Sequence, residues 1–178
     1  MAQIKLLFFL TIIMSFYSCR VGNDDPLISL YSRNRRICGN WELTNATYSI
    51  TQKNSVRLTQ HSYNYAKPTL TIDNDSSIFY SLNLTIEKDG KASAKIHCGT
   101  KYYQITGYWW WLNNSRNKSA IEFSFSPIKD IGDFNRFKIT NLHREYMVWQ
   151  ISGEKSYTSE GVFFSTSFNG EYKFKRKE

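Results

Sequence analysis

The feature that most constrains this chain is an alternation of apolar and polar side chains that begins near Cys38 and runs almost to the C-terminus. Leu82, Leu84 and Ile86 alternate with Asn83, Thr85 and Glu87. The tetrad Lys88-Asp89-Gly90-Lys91 follows, and then Ala92, Ala94, Ile96 and Cys98 alternate with Ser93, Lys95 and His97. Successive side chains of a strand point to opposite faces, so each such run has one apolar and one wet face. Asp-Gly between two runs takes the positive φ angles of a tight hairpin turn. The pattern recurs. Ile105, Gly107, Trp109 and Trp111 share a parity ahead of the polar stretch Asn113 to Ser119. Ile121, Phe123 and Phe125 alternate with Glu122, Ser124 and Ser126, and Phe137, Ile139 and Leu142 lead through His143-Arg144-Glu145 to Met147, Trp149 and Ile151. Val162 to Phe168 precedes Asn169-Gly170, read as a turn, and then Tyr172 and Phe174. No stretch has helical periodicity. The chain therefore reads as all-β, an antiparallel up-and-down meander, and closure into a barrel would remove its exposed edges. Ser49 to Ile78 is the least regular part and reads as a solvated loop. Its run Asp73-Asn74-Asp75-Ser76-Ser77 is not an EF-hand, because Ile78 and Leu84 stand where Gly and Glu are needed.

The N-terminus supplies an address. Lys5 precedes an apolar run from Leu6 to Tyr17. The run is too short to cross a ~30 Å hydrocarbon core, which takes ~20 helical residues, and fits the h-region of a secretory signal. It ends on Ser18-Cys19, which resembles the lipobox of bacterial lipoproteins. That resemblance implies a signal peptide over 1–18 and a diacylglyceryl group on the Cys19 thiol. Phe16 and Tyr17 are bulkier than the usual lipobox residues and closer to the looser lipoboxes of Bacteroidetes-type bacteria. Residues 19–34 then read as a flexible tether, and Asp24-Asp25 resembles a surface-export signal of such lipoproteins. Cell-surface display and the periplasmic face of the outer membrane both remain open. Residues 35–178 are left as one domain. The formal net charge is +8. Arg33, Arg35 and Arg36 precede the first strand and Lys173, Lys175, Arg176 and Lys177 crowd the last. In a closed barrel these strands are neighbours, and one basic patch would attract lipopolysaccharide phosphates or an acidic glycan. An exported address argues against nucleic acid as a partner.

Cys38 and Cys98 are left once Cys19 is assigned to lipid. They either form one disulfide, closing a loop worth about 4 kcal/mol in the chain-entropy model, or stay as two buried thiols. His61, His97 and His143 are isolated and no Cys-x-x-Cys spacing occurs, so no metal site is expected. There is no Gly-x-Ser-x-Gly, no His-Glu-x-x-His and no Gly-rich phosphate loop, and the chain reads as a non-enzyme without a cofactor. The densest feature is Tyr102, Tyr103, Tyr108, Trp109, Trp110 and Trp111. Alternation sends Trp109 and Trp111 one way and Tyr108 and Trp110 the other. If the first pair faces the core, Tyr108 and Trp110 form an external platform for a sugar ring or a protein partner.

Gly39-Asn40-Trp41 on the first strand resembles the opening of lipocalins and of the lipocalin-like lipoproteins of Bacteroidetes. Leu84 to Lys91 resembles their central hairpin, Gly107-Tyr108-Trp109-Trp110-Trp111 their Gly-x-Trp-x-Trp strand, and Phe137 to Leu142 with Glu145 to Trp149 their late hairpin. The resemblance spans about 35 to 178 and implies an eight-stranded barrel, closed or half-open. It also implies a small apolar or amphipathic ligand inside, lined by Trp41, Trp109, Trp111, Phe123, Phe125 and Trp149. The alternative is a filled barrel that acts through its outer aromatic and basic surface. Tyr108 and Trp110 depart from the family, which has small or polar residues there.

Overall fold

The computed structural model describes residues 32–54, 57–112, 118–125, 136–159 and 162–178. The signal segment, Cys19 and the tether up to residue 31 lie outside these residues. Among the described residues a short helix α1 (Arg33–Ile37) is followed by β1 (Gly39–Asn54), β2 (Leu58–Ala66), β3 (Thr69–Ile72), β4 (Ser76–Ile86) and β5 (Lys91–Cys98). Then come β6 (Lys101–Trp111), β7 (Ala120–Phe125), β8 (Arg136–Leu142), β9 (Tyr146–Ser159) and β10 (Val162–Arg176). Each strand pairs antiparallel with the next, and β10 pairs with β1 to close a barrel.

The barrel has ten strands, not the expected eight. The register gives the reason. At one end Gly39 to Glu42 of β1 pair directly with Asn83 to Ile86 of β4. Farther along, β1 diverges to pair with β2, and β4 to pair with β3. The hairpin β2–β3 is therefore wedged into a seam that is otherwise closed. The segment read as a loop forms it, with Tyr65 buried against the core. The stretch Asn169-Gly170, read as a turn, lies inside the continuous strand β10. Gly170 is buried opposite Tyr48, and an added Cβ would come within 2.7 Å of the Tyr48 ring. Its missing side chain makes room for packing rather than for a turn.

The narrow end is plugged. Ser32 caps α1 by accepting a hydrogen bond from Arg35 N at 3.3 Å, and Ile37 is fully buried. Arg33 and Asn34, read as the end of the tether, belong to this plug. Arg33 and Arg36 do not join an exposed basic patch; both are buried. Arg36 Nη1 donates to Leu142 O, and the Arg33 guanidinium lies 5.9 Å from the Trp111 ring centroid. Three indoles converge here with every N–H paired: Trp41 to Ile37 O and Trp109 to Glu87 O, both at 2.7 Å, and Trp111 to Asn34 Oδ1 at 2.6 Å.

Arg176 locks the plug. Its guanidinium stacks 4.5 Å over the Trp41 ring. Nη1 donates to Cys38 O at 2.9 Å, Nη2 to Arg36 O and Nε to Arg144 O at 2.5 Å. Gly39, at φ 147°, leaves the space; an added Cβ would collide with Nη1. Burial holds the Arg176 pKa below its usual value, with nearby Arg144 adding to the effect. The fork of donors offsets that cost, since hydrogen bonds to a charged group are the strong ones.

Cys38 and Cys98 are free thiols in the structure and form no disulfide. Cys38 precedes Gly39, which pairs with Ile86, which pairs with Ala92; Cys98 lies further along β5. That offset along the barrel is about 20 Å at ~3.3 Å per residue, against the ~7 Å that a disulfide spans between Cα atoms. Desolvation pushes the Cys38 thiol pKa up.

Two predictions follow from this geometry. Arg176→Ala should destabilise the domain by about 3 kcal/mol or more, because three carbonyls and the Trp41 face lose one charged partner. Arg176→Lys should recover little of it, since an ammonium cannot make the planar fork. Urea unfolding followed by tryptophan fluorescence measures both, and a Lys variant as stable as the parent would contradict the account. Alkylation of the unreduced, denatured protein should label both Cys38 and Cys98. A cross-linked Cys38–Cys98 peptide would overturn the register described above.

Candidate binding surface

The outward positions of β6 carry rings. Trp109 and Trp111 point inward and are buried, while Tyr108 is 60% exposed and Trp110 is 42% exposed. In register, Tyr108 lies between Lys91 of β5 and Ser124 of β7, and Trp110 lies beside Glu122 of β7, which pairs with Arg136 of β8. Arg136 Nε meets Glu122 Oε2 at 3.2 Å. Lys91 Nζ meets Asp89 Oδ2 at 2.7 Å, and this contact lowers the Asp89 pKa and raises that of Lys91. The surface thus offers two aromatic faces framed by hydrogen-bonding and charged groups. Ring faces stack on the C–H faces of a sugar, and the framing groups can bind its hydroxyls.

The six residues expected to line an internal ligand are all inside, but they pack on one another. Phe123 stacks on Phe125 at 5.1 Å and meets Trp149 at 5.4 Å, and Trp149 meets Phe137 at 5.0 Å and Phe174 at 4.7 Å. Trp109 and Trp111 are 5.9 Å apart, edge to face, and Trp41 is covered by Arg176. Trp149 Nε1 differs from the other three inward indoles: it is buried and has no hydrogen-bond partner among the described residues. Toward the wide end the interior is phenolic. Tyr48 contacts Tyr63 at 5.8 Å and Tyr172 at 6.3 Å, and Tyr65 meets Tyr80 at 5.5 Å. Burial pushes the pKa of both Tyr48 and Tyr80 up to about 12 and raises that of Tyr172 further, so these phenols stay neutral in ordinary buffers.

Elsewhere the chemistry is structural. Asp73 accepts from Ser62 N at 2.6 Å and lies 2.7 Å from His61 Nδ1, clamping β2 to the turn after β3. These contacts, the His61 hydrogen bond first, lower the Asp73 pKa. Among the described residues no cluster of three or more His, Cys, Asp or Glu is placed to hold a metal. A shallow polar groove of about 550 Å³ crosses the outside of β2, β1, β10 and β9, lined by residues including Asn64, Ser62, Gln150, Asn169 and Glu171. Lys177, just past the last strand, and Lys67, in the turn between β2 and β3, both reach Glu42, and Lys173 of β10 pairs with Glu171, so the expected basic patch is partly neutralised.

Alternation identified the outward pair on β6 in the sequence. It did not single out Phe79 or Tyr102, each 51% exposed. The signal was available for Tyr102, which shares its parity with Tyr108 and Trp110. No protein-family model, curated protein or solved structure matches the chain.

Proposed function

We propose that this chain is a non-catalytic cell-envelope lipoprotein, held to the outer membrane by lipid on Cys19, whose lipocalin-like barrel presents an external glycan-binding surface. The observation that carries the binding role is the exposure of Tyr108 and Trp110 side by side on the outside of a barrel whose other indoles point inward. The frame of Lys91, Ser124, Glu122 and Arg136 favours a sugar over a protein partner, because it supplies polar groups at the edge of each ring. The lipid anchor is supported by Ser18-Cys19 at the end of the apolar run.

Trp110→Ala and Tyr108→Ala should each weaken glycan binding on an array or in titration by about tenfold, as for a stacking anchor. Both side chains are exposed, so domain stability should change by less than about 0.5 kcal/mol. Unchanged binding by both folded variants would refute this surface as the site.

A second reading, an amphipathic small molecule inside the barrel, is favoured by one observation: the unpaired Trp149 Nε1. A ligand acceptor there would relieve a penalty of about 1–3 kcal/mol. Native mass spectrometry of protein purified from its own membrane addresses both the anchor and this ligand. It should show lipid mass on Cys19, and Cys19→Ser should lose that mass and membrane retention, since a hydroxyl is a far poorer nucleophile than a thiolate. Processed Cys19→Ser protein that stays membrane-bound would contradict the anchor. A co-purified small molecule would favour the second reading.

A further inference from the structure

We propose that the outer face of β5 and β6 binds an extended acidic oligosaccharide, lying along β6 from Trp110 to Tyr102 and passing Lys95 before it reaches Tyr102. The proposal rests on the reading of Tyr108 and Trp110 as a sugar platform and adds the length and charge of the ligand.

The first independent observation is a second aromatic cluster at the far end of the same face. Phe79 and Tyr102 are each about half exposed. The exposed His97 ring stands between them, with centroids 6.4 Å from Phe79 and 4.6 Å from Tyr102. Three strands, β4, β5 and β6, contribute one ring each. Tyr102, Gln104, Thr106, Tyr108 and Trp110 occupy alternate positions of one strand and so share its outer face. Tyr102 and Tyr108 are therefore about 20 Å apart at ~3.3 Å per residue. A mono- or disaccharide cannot touch both platforms, whereas an extended chain can.

The second observation is what lies between the platforms. Gln104 pairs with Lys95 and Thr106 with Ser93, and behind them Asn83 and Thr85 of β4 complete two polar rows. Residues 81–85, 93–97 and 102–106 contain no Asp or Glu. Among the described residues Lys95, on the outer face between the platforms, makes no ion pair. An unpaired cation between aromatic ends complements a chain that carries carboxylates or sulfates. A protein partner is served by the opposite layout, an apolar centre with a polar rim.

The test titrates the mature protein in detergent with oligogalacturonates from dimer to octamer and with neutral cello-oligosaccharides of the same lengths. Affinity for the uronates should rise at least about tenfold once the chain reaches both platforms. It should fall with added salt and exceed that for the neutral series. Tyr102→Ala and Lys95→Ala should each weaken long uronates about fivefold or more and leave the dimer unchanged. Affinity independent of length, equal affinity for neutral chains, or no uronate binding overturns the proposal. If Trp110→Ala abolishes binding while the Tyr102 and Lys95 variants bind normally, this inference fails and the platform reading stands. If Trp110→Ala changes nothing for any chain, the platform reading fails with it.

Discussion

The architecture depends on the contact between the Arg176 guanidinium and the face of Trp41. A closed sheet needs its last strand held against its first, and the seam between β1 and β10 runs nearly the whole length of both. Arg176 converts that seam into a three-dimensional lock. One side chain reaches carbonyls from α1, from the residue before β1 and from the turn between β8 and β9. The price is a desolvated cation, and only a planar donor fork over an aromatic face offsets it. This explains the local sequence: Gly39 leaves space for the guanidinium, and Trp41 provides the ring.

From that lock outward the barrel has two girths. At the plugged end β1 touches β4 and the wall contains eight strands; the wedge of β2 and β3 raises the number to ten farther along. A wider barrel encloses more space between its walls. The interior changes accordingly, from close-packed indoles and phenylalanines to tyrosines in ring contact with one another. The eight-strand expectation thus describes the narrow girth and misses the wedge. A parity shift in β1, between Leu43 and Asn45, falls where this divergence begins and keeps Ala46 and Tyr48 turned to the core.

What was legible in the sequence was what binary alternation encodes. The strands from β4 to β9 carry apolar residues on one face, and their hairpins could be read directly. The hairpin β2–β3 could not, because the core-facing row of β2 includes His61, Tyr63 and Tyr65 and its outer row Ser62 and Asn64, so both faces look polar. Asn169-Gly170 has turn composition, yet the requirement it meets is clearance for the Tyr48 ring, a tertiary fact with no local signal. The burial of Arg33 and Arg36 was hidden for the same reason: a run of arginines looks solvated until a carbonyl and an indole are found over it. Cys38 and Cys98 are opposite in height along the barrel, and sequence separation carries no information about that.

Closure also decides how such a protein can recognise anything. In an open sheet an edge strand offers backbone donors and acceptors to a partner. Among the described residues each strand of the barrel has neighbours on both sides over part of its length, so much of the wall's backbone is already paired and recognition there falls to side chains. On a half-buried strand the inner row is committed to the core, and only the outer row is free to vary without cost to packing. β6 uses its outer row for Tyr102, Gln104, Thr106, Tyr108 and Trp110. Placing rings there contributes nothing to the core, which Trp109 and Trp111 already fill from the same strand. The physical return on exposing them is contact area for a ligand, arranged at the fixed spacing of a strand, and that spacing favours a ligand that is itself linear.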